Sequence, residues 1–318
     1  MITPAPASRV LGIDLGGTTT GAALVEASGD TGPVASTPTP AAAGPEAILD
    51  AVATVVTEVL NHGGPAPAAV GIGTAGVVDV DRGTIISATD ALTGWVGTDV
   101  ADGLRRRLHP LLGPVPVIVQ NDVDAHAAGE AWVGAAAGMD NVLMVAVGTG
   151  VGGAVVLDGH PLRGAHHLAG EMGHIPTPGA EGLRCSCGRR GHLEALSAGP
   201  ALHRYYLALG GEAASGDARD VAARATSGEP LATLAVHHSA TALGRAIAGI
   251  CTVLDPAAVV IGGGLAGAGP VWWQAVEQAL RAEVVEPLAE MPLLPATLGD
   301  RAAIIGAARS AWRLVDAR

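Results

Sequence analysis

The sequence predicts an α/β protein made of two similar lobes. Residues 9–25 and 141–157 each contain an apolar strand, a turn of glycine and threonine, and a second apolar strand. The two units begin about 130 residues apart, and a supersecondary pattern that recurs in this way indicates an internal duplication. Elsewhere, segments with apolar residues at helical spacing alternate with short apolar strands, which is the pattern of a sheet covered by helices.

Strands are expected where short apolar runs end in glycine or polar residues. Residues 29–44 are rich in Pro, Thr and Gly and are predicted to be a connector, with a short strand near Val34. The predicted strands are 9–15, 22–25, 69–73, 115–119, 141–147, 154–157 and 257–261.

Helices are expected where apolar residues recur every three or four positions. The pattern runs through residues 46–60 and ends at the polar and glycine-rich run 61–64. A second helix is expected to follow Asp122 and to end near Trp132. The remaining predicted helices are 200–210, 217–225, 230–254, 270–281 and 302–314.

Composition limits the classes of function. The chain has 318 residues, which is enough for two domains with separate cores. With 49% hydrophobic residues and no Phe, those cores must consist mainly of aliphatic side chains. All 18 basic residues are Arg, so chemistry that needs a lysine is excluded. The net charge of −12 argues against nucleic acid or an anionic membrane as a partner.

The sequence predicts a cytoplasmic location. Its first residues lack the charged segment, apolar run and cleavage site of a secretion signal, and no long apolar stretch predicts a membrane span. Three cysteines make a poor disulfide framework and fit a reducing compartment.

Three glycine turns can bring a ligand close to bare backbone. In the first, the N–H groups of Gly16, Gly17 and Thr18 can bind phosphate and Asp14 can hold a hydrated magnesium ion, although an ordinary hairpin turn explains the same residues. The second is the turn at 148–153, which repeats the first. The third, 262–264, follows a buried strand and can accept a flat ring or a phosphate.

Polar residues follow the predicted strand 115–119. Asp122, at a strand end near a helix N-terminus, is a candidate general base that accepts a proton from a hydroxyl attacking phosphate. The alternative is that Asp122 or Asp124 caps the following helix, a role that aspartate favours.

Residues 170–194 concentrate side chains that bind metals or polyols. His174, Cys185, Cys187 and His192 form a soft nitrogen and sulfur set that suits tetrahedral zinc, and four protein ligands would make the site structural. The carboxylates of Glu171 and Glu194 flank this set and can accept hydrogen bonds from sugar hydroxyls. The alternative is a mobile loop rich in His and Arg, because a Cys-x-Cys pair alone is a weak metal signal.

With these segments together, the chain resembles the ROK family (repressors, open reading frames and kinases) over nearly its whole length. Each glycine turn is unspecific, whereas the order and joint presence of the motifs are specific. The matching segments are Asp14-Leu15-Gly16-Gly17-Thr18, Asn121-Asp122, 148–153, Ala169-Gly170-Glu171-Met172-Gly173-His174, 185–191, Glu194, Asp255-Pro256 and Gly262-Gly263-Gly264.

The resemblance implies an actin-like ATPase (ribonuclease H-like) fold with nucleotide and sugar in the cleft between two lobes. The small lobe is expected to comprise 1–120 joined by the C-terminal helix 302–318, and the large lobe 121–300 with the zinc loop. ATP, Mg²⁺ and a structural Zn²⁺ are the implied cofactors. A homodimer is the implied assembly.

The implied activity is ATP-dependent phosphorylation of a hexose, on the C6 hydroxyl of glucose or a close relative. Kinases for N-acetylmannosamine, N-acetylglucosamine, fructose or allose, and a noncatalytic sugar-responsive regulator, are the alternatives. The regulator would need a DNA-binding helix-turn-helix, for which the residues before the first strand leave no room. The roles carried over are Asp122 as base; Asn121, Glu171, His174 and Glu194 on the sugar; Gly16, Gly17, Thr18, Gly148, Thr149 and Gly150 on phosphate; Gly263 and Gly264 on adenosine.

Four departures from the family pattern mark where specificity can differ. His192 stands where the family usually has a third Cys, so zinc binding rests on a Cys2His2 set. Thr74-Ala75-Gly76 lacks the usual Pro, Asp90 replaces a common Asn, and Asp124-Ala125-His126 replaces Asn-Ala-Ala. The preferred hexose, the use of polyphosphate in place of ATP, and the effects of Asp90 and Asp124 stay open at this stage.

Overall fold

The computed structural model describes residues 9–317 except 64 and 90, so Asp90 and the first eight residues lie outside the described part. The strands are β1 (Val10–Leu15), β2 (Thr19–Val25), β3 (Ala35–Pro38), β4 (Val70–Thr74), β5 (Val77–Asp79), β6 (Thr84–Ser87), β7 (Val117–Asn121), β8 (Val142–Val147), β9 (Val151–Leu157), β10 (His160–Pro161), β11 (Ala258–Gly262) and β12 (Leu293–Pro295). The α-helices are α1 (Pro45–Asn61), α2 (Val100–Leu112), α3 (Asp122–Val133), α4 (Glu194–Ser197), α5 (Gly199–Ala208), α6 (Ala218–Thr226), α7 (Pro230–Leu254), α8 (Pro270–Glu283) and α9 (Ala302–Asp316).

The chain divides into two compact units. The first comprises Met1–Gly138, Gly159–Ala169 and Thr297–Arg318, and the second comprises Met139–Asp158 and Gly170–Ala296. The sequence placed the first division at residue 120. In the structure α3 belongs to the first unit instead, because it packs along α9.

The first unit contains a five-stranded sheet in the order β3-β2-β1-β4-β7. β1 and β2 form an antiparallel hairpin, and β4 and β7 continue the sheet parallel to β1. Asp14 lies opposite Gly73, and Thr74 lies opposite Asn121, so the carboxyl ends of three parallel strands share one sheet edge. Ligands of open α/β sheets bind at such an edge.

The second unit repeats this arrangement. β8 and β9 form an antiparallel hairpin, β11 lies parallel to β8, and β12 lies parallel to β11. A hairpin followed by two parallel strands is therefore present in both units, as the repeated strand and glycine-turn pattern predicts.

Helix α9 packs directly against the first sheet because the facing positions lack side chains. A Cβ at Gly12 or Gly71 would overlap the carbonyl oxygen of Ile304 or Ala307 on α9. On the other side of the helix, a Cβ at Gly306 would overlap the Ala125 carbonyl of α3. These glycines are required by close backbone approach.

Both cores are built mostly from aliphatic residues, as the absence of Phe requires. The largest fully buried side chains are Trp95 in the first unit and Trp272 and Tyr206 in the second. Within the described residues, no helix is both long and apolar enough to cross a membrane.

Most predicted elements are present, with shifted ends. The predicted strand 115–119 is Val117–Asn121, so Gln120 and Asn121 belong to the strand rather than to the turn after it. Helix Val100–Leu112 was not predicted, because three consecutive arginines interrupt its apolar residues. Short strands β5, β6 and β12 were also not predicted, since three or four residues carry little periodicity.

Candidate active site

The first glycine turn joins β1 to β2 and is held by hydrogen bonds from outside it. The Gly16 N–H donates to the Thr19 carbonyl over 3.0 Å. The Thr39 hydroxyl donates to the Gly16 carbonyl over 2.8 Å, and the Thr39 N–H donates to the Thr18 carbonyl over 2.9 Å. A Cβ at Gly17 would meet nothing nearer than Ala91, at 3.8 Å, so the tip of the turn is open.

Asp14 lies at the end of β1, beside this turn, among other carboxylates. Burial, and then the negative charges of Asp122 and Asp300, raise its pKa to about 7. A carboxylate whose ionisation is opposed by burial and by two neighbouring carboxylates fits a divalent cation, because hard cations bind carboxylate oxygens. Sequence reasoning found Asp14 and Asp122 but missed Asp300, which carries no motif of its own.

Asn121, not an aspartate, caps helix α3. Its side-chain oxygen accepts hydrogen bonds from the N–H groups of Val123 and Asp124, at 2.8 and 3.2 Å. Its side-chain nitrogen donates to the Gly76 carbonyl over 2.9 Å, which fixes the neighbouring segment. The alternative that Asp122 or Asp124 serves as the cap is therefore wrong for this helix.

Asp122 is the first residue of α3. It does not cap the helix, because Asn121 does. One carboxylate oxygen accepts the Val123 N–H at 3.0 Å. Burial raises the pKa of Asp122, although backbone hydrogen bonds and the Asn121 side chain oppose that shift. A carboxylate whose pKa is raised toward neutrality is a better proton acceptor for a hydroxyl.

Asp124 is buried and forms a short ion pair with Arg163. Arg163 also donates to the Gln120 side-chain oxygen over 2.8 Å, and that oxygen accepts the Ser310 hydroxyl at 2.7 Å. His126, two positions on, has a pKa lowered by burial. Asp124 is thus part of a largely buried polar network that joins β7, α9 and Arg163.

The second glycine turn, between β8 and β9, is held by Glu194. One Glu194 oxygen accepts the Val151 N–H at 3.1 Å, and the other accepts the Ser186 N–H at 3.3 Å. A Cβ at Gly150 would lie 2.6 Å from the Glu194 oxygen, so a larger residue there would have to displace this carboxylate. Glu194, predicted to contact sugar, has one oxygen engaged with this turn and the other with residues 185–192, the cysteine loop.

The four predicted metal ligands lie together in the second unit. The ligand atoms of His174, Cys185, Cys187 and His192 are all within 4.8 Å of one another. The Cys185 sulfur is 3.3 Å from His174 Nδ1, and the Cys187 sulfur is 3.3 Å from His192 Nδ1. Two thiols and two imidazoles at this separation fit a tetrahedral zinc ion. Burial, chiefly, raises the pKa of Cys185 to about 11, a cost that a bound cation offsets.

Glu171 and His174 also meet, as the predicted sugar contacts require. The Glu171 carboxylate is 3.8 Å from His174 Nε2, while His174 Nδ1 faces the Cys185 sulfur. The imidazole therefore has one nitrogen toward the metal set and the other toward a carboxylate, which fixes its orientation.

A cavity of about 510 Å³ in the second unit includes the second and third glycine turns in its wall. Gly148, Thr149 and Gly264 line it, and nothing lies within 4 Å of a Cβ at Gly264. Gly263, beside it, has φ of +83° and packs on the Val147 backbone, so it shapes the turn rather than lining the cavity.

Sequence reasoning missed the polar side chains of this cavity, which are His203, Asp217 and Arg219. They come from α5 and the start of α6, where helical periodicity predicts an element but not which polar residues face a ligand. The Asp217 side chain caps α6 and pairs with Arg219 at 2.7 Å. Asp217 is the first residue of the predicted helix 217–225, and an Asp at a helix start is the one signal that could have drawn attention to it.

The predicted site residues thus fall into two groups. Asp14, the turn 16–18, Asn121 and Asp122 lie in the first unit. The turn 148–150, Glu171, the metal set, Glu194 and the turn 263–264 lie in the second. A repeated hairpin and parallel-strand unit with a glycine turn in each copy defines the actin-like ATPase class of fold.

Comparison with known proteins identifies the family. The ROK family model matches residues 10–313, so the chain belongs to the ROK family. A glucokinase of Streptomyces coelicolor is 32% identical over 317 residues, covering 94% of this chain and 96% of the relative. An N-acetylmannosamine kinase of Shigella flexneri is 34% identical over 301 residues, covering 94% and 97%.

Solved structures agree with the fold. A ROK hexokinase from Thermus thermophilus superposes with a TM-score of 0.85 at 33% identity, over 98% of this chain and 100% of that one. A ROK glucokinase from Streptomyces griseus, in complex with glucose and AMPPNP, gives a TM-score of 0.81 at 29% identity, over 96% and 100%. The predicted fold, family and sugar kinase class are confirmed.

Proposed function

We propose that this protein transfers the γ-phosphoryl group of ATP to a hexose, on the C6 hydroxyl of glucose or a close relative, with Asp122 as general base. The observation that carries the proposal is that Asn121 and Asp122, which are adjacent, have different roles. Asn121 caps α3, so the Asp122 carboxylate is left for chemistry at the edge where three parallel strands end. Glucose is favoured as substrate because named glucokinases match the chain over most of its length.

In the proposed reaction the sugar hydroxyl oxygen bonds to the γ-phosphorus as the bond to the bridging oxygen of ADP breaks. The hydroxyl proton passes to the Asp122 carboxylate. The raised pKa of Asp122 helps it to accept that proton near neutral pH. The N–H groups of Gly16 and Gly148 bond within their own turns. The other backbone N–H groups of the turns 16–18 and 148–150 would bind phosphate oxygens and stabilise the charge that develops on them.

Asp14, with Asp122 and Asp300 near it, would hold Mg²⁺ through oxygen ligands. When bound, the ion supplies positive charge against the transferring phosphoryl group. The cavity beside Gly148 and Gly264 would hold the adenosine part of ATP; its volume of about 510 Å³ falls within the range of small-molecule pockets.

Sugar hydroxyls would be bound by Glu171, His174 and Glu194 of the second unit, and by Asn121 of the first. The Cys2His2 set would hold a structural Zn²⁺ that fixes the His174 ring and the loop around it. A homodimer is proposed on the family resemblance.

A second candidate substrate is N-acetylmannosamine, favoured by the relative from Shigella flexneri. Both substrates are tested in one coupled assay with Mg-ATP and glucose, mannose, fructose, allose, N-acetylglucosamine and N-acetylmannosamine. Polyphosphate is included as an alternative phosphoryl donor. Turnover of glucose above the other sugars supports the proposal, and turnover of none of them contradicts it.

The base is tested by Asp122→Asn, which keeps the shape of the side chain and removes its ability to accept a proton. We expect kcat to fall by about 10³-fold with little change in sugar affinity, because general base catalysis contributes on this scale. The matched control is Asp81→Asn in the exposed turn after β5, which should keep the wild-type kcat. Normal turnover by Asp122→Asn would assign the base elsewhere.

A further inference from the structure

We propose that Thr39 is a positioning residue for phosphoryl transfer, which holds the first glycine turn and polarises the peptide that donates the Gly17 N–H. The proposal rests on the proposed function, since it assigns that N–H to a phosphate oxygen. Thr39 lies in the connector between β3 and α1 and belongs to no motif of the sequence.

The Thr39 side chain is held in place from both sides. It is nearly buried, and its hydroxyl lies 2.8 Å from the Gly16 carbonyl oxygen and 2.8 Å from the hydroxyl of Thr20, which is fully buried. A carbonyl only accepts, so the Thr39 proton must point to Gly16. The Thr20 hydroxyl must then donate to Thr39. The direction of the chain is therefore fixed from Thr20 to Thr39 to the Gly16 carbonyl.

The peptide that receives this hydrogen bond is the one whose N–H belongs to Gly17. The C=O of Gly16 and the N–H of Gly17 are the two ends of one planar peptide unit. A hydrogen bond to the oxygen polarises the unit, and successive bonds in a chain strengthen one another. Among the described residues, no acceptor is assigned to the Gly17 N–H, and the tip of the turn is open at this position.

Thr39 also limits the motion of the turn. Its own N–H donates to the Thr18 carbonyl, so one residue binds the carbonyls on both sides of Gly17. Glycine loses more conformational freedom on ordering than any other residue, so two adjacent glycines need external support to hold N–H groups in one geometry. Preorganised donors of this kind stabilise developing charge without reorganisation during the reaction.

The test compares Thr39→Val, which keeps the shape and the backbone N–H but removes the hydroxyl, with Thr39→Ser, which retains the hydroxyl. For Thr39→Val we expect the Kd for Mg-AMPPNP, measured without sugar, to rise by about 10-fold and kcat to fall by at least as much. The Kd for glucose without nucleotide should stay within about twofold of wild type, and Thr39→Ser should restore nucleotide binding.

Two further variants keep the result interpretable. Thr20→Val removes only the head of the hydroxyl chain and should give a smaller loss of nucleotide affinity. Thr54→Val is the matched control, because its hydroxyl bonds the Asp50 carbonyl on exposed α1. Wild-type nucleotide affinity and kcat in folded Thr39→Val, or in Thr20→Val if Thr39→Val does not fold, would overturn the proposal. Equal losses of glucose and nucleotide binding would also overturn it. A wild-type protein that does not bind Mg-AMPPNP would instead contradict the proposed function.

Discussion

Asp14 shows how one residue can lower the stability of the free protein in order to serve a site. Its carboxyl has an ordinary pKa of 3.8, and the folded protein raises that pKa to about 7. The folded state therefore holds a proton that the unfolded state has lost between these pH values. Stability falls as pH rises through this window and levels off above it.

Asp14→Asn tests this relation because it removes the titrating group while keeping its size. Between pH 4 and pH 7 the variant should lose less thermal stability than wild type, and at pH 8 without divalent cations it should be more stable by up to about 4 kcal/mol. Thermal unfolding followed across pH measures the difference. Asp81→Asn, in an exposed turn, should reproduce the wild-type profile, and an Asp14→Asn profile identical to it would show that Asp14 is ionised at no cost.

At the scale of single residues, the sequence predicted which residues matter better than it predicted the groups they contact. Asn121 and Glu194 are predicted sugar contacts, but the sequence did not predict that Asn121 caps α3 or that Glu194 joins the second glycine turn to the cysteine loop. Asp300 and Thr39 carry no local pattern. Their roles depend on which distant strand end they approach, and that information lies in topology rather than in spacing.

At the scale of elements, α9 depends on positions that have no side chain. Gly306 of α9 faces the Ala125 carbonyl of α3. The opposite side of α9 packs on Gly12 and Gly71 of the first sheet. A larger residue at 306 must move either α3 or the helix itself, because the obstacle is backbone and not a flexible side chain.

Gly306→Ala should therefore destabilise the protein by about 3 kcal/mol, seen as a lower Tm in thermal unfolding. Gly249→Ala, in the middle of α7, is the same change in a helix where nothing lies within 4 Å of the new Cβ. It should stabilise by up to about 1 kcal/mol, because alanine is the better helix former. Equal effects of the two substitutions would contradict the packing argument.

The cysteine loop brings the four proposed zinc ligands together. Purified protein should contain about one zinc per chain, and chelation should lower the Tm by at least about 5 °C, because the free energy of metal binding contributes to folding. His192→Ala should lose the metal, while His62→Ala, on the exposed end of α1, should keep it. If metal-free protein kept the same Tm and sugar affinity, the assignment of a structural zinc would be contradicted.

At the scale of the whole molecule, the duplication was the feature that the sequence predicted best. Two similar strand and glycine-turn units appear in the chain because each repeat needs the same hairpin and the same tight turn. The assignment of residues 121–138 and 159–169 to the first unit was not predicted. It depends on the packing of α3 on α9, an element almost two hundred positions later in the chain.

Each of the two glycine turns is held by one side chain from a later segment of the same unit. Thr39 follows the first hairpin and Glu194 follows the second, and each comes before the helices that cover its own sheet. A corresponding place in each repeat thus bears the residue that braces the turn. The cysteine loop lies between the second hairpin and Glu194, and the segment between the first hairpin and Thr39 has no counterpart of it.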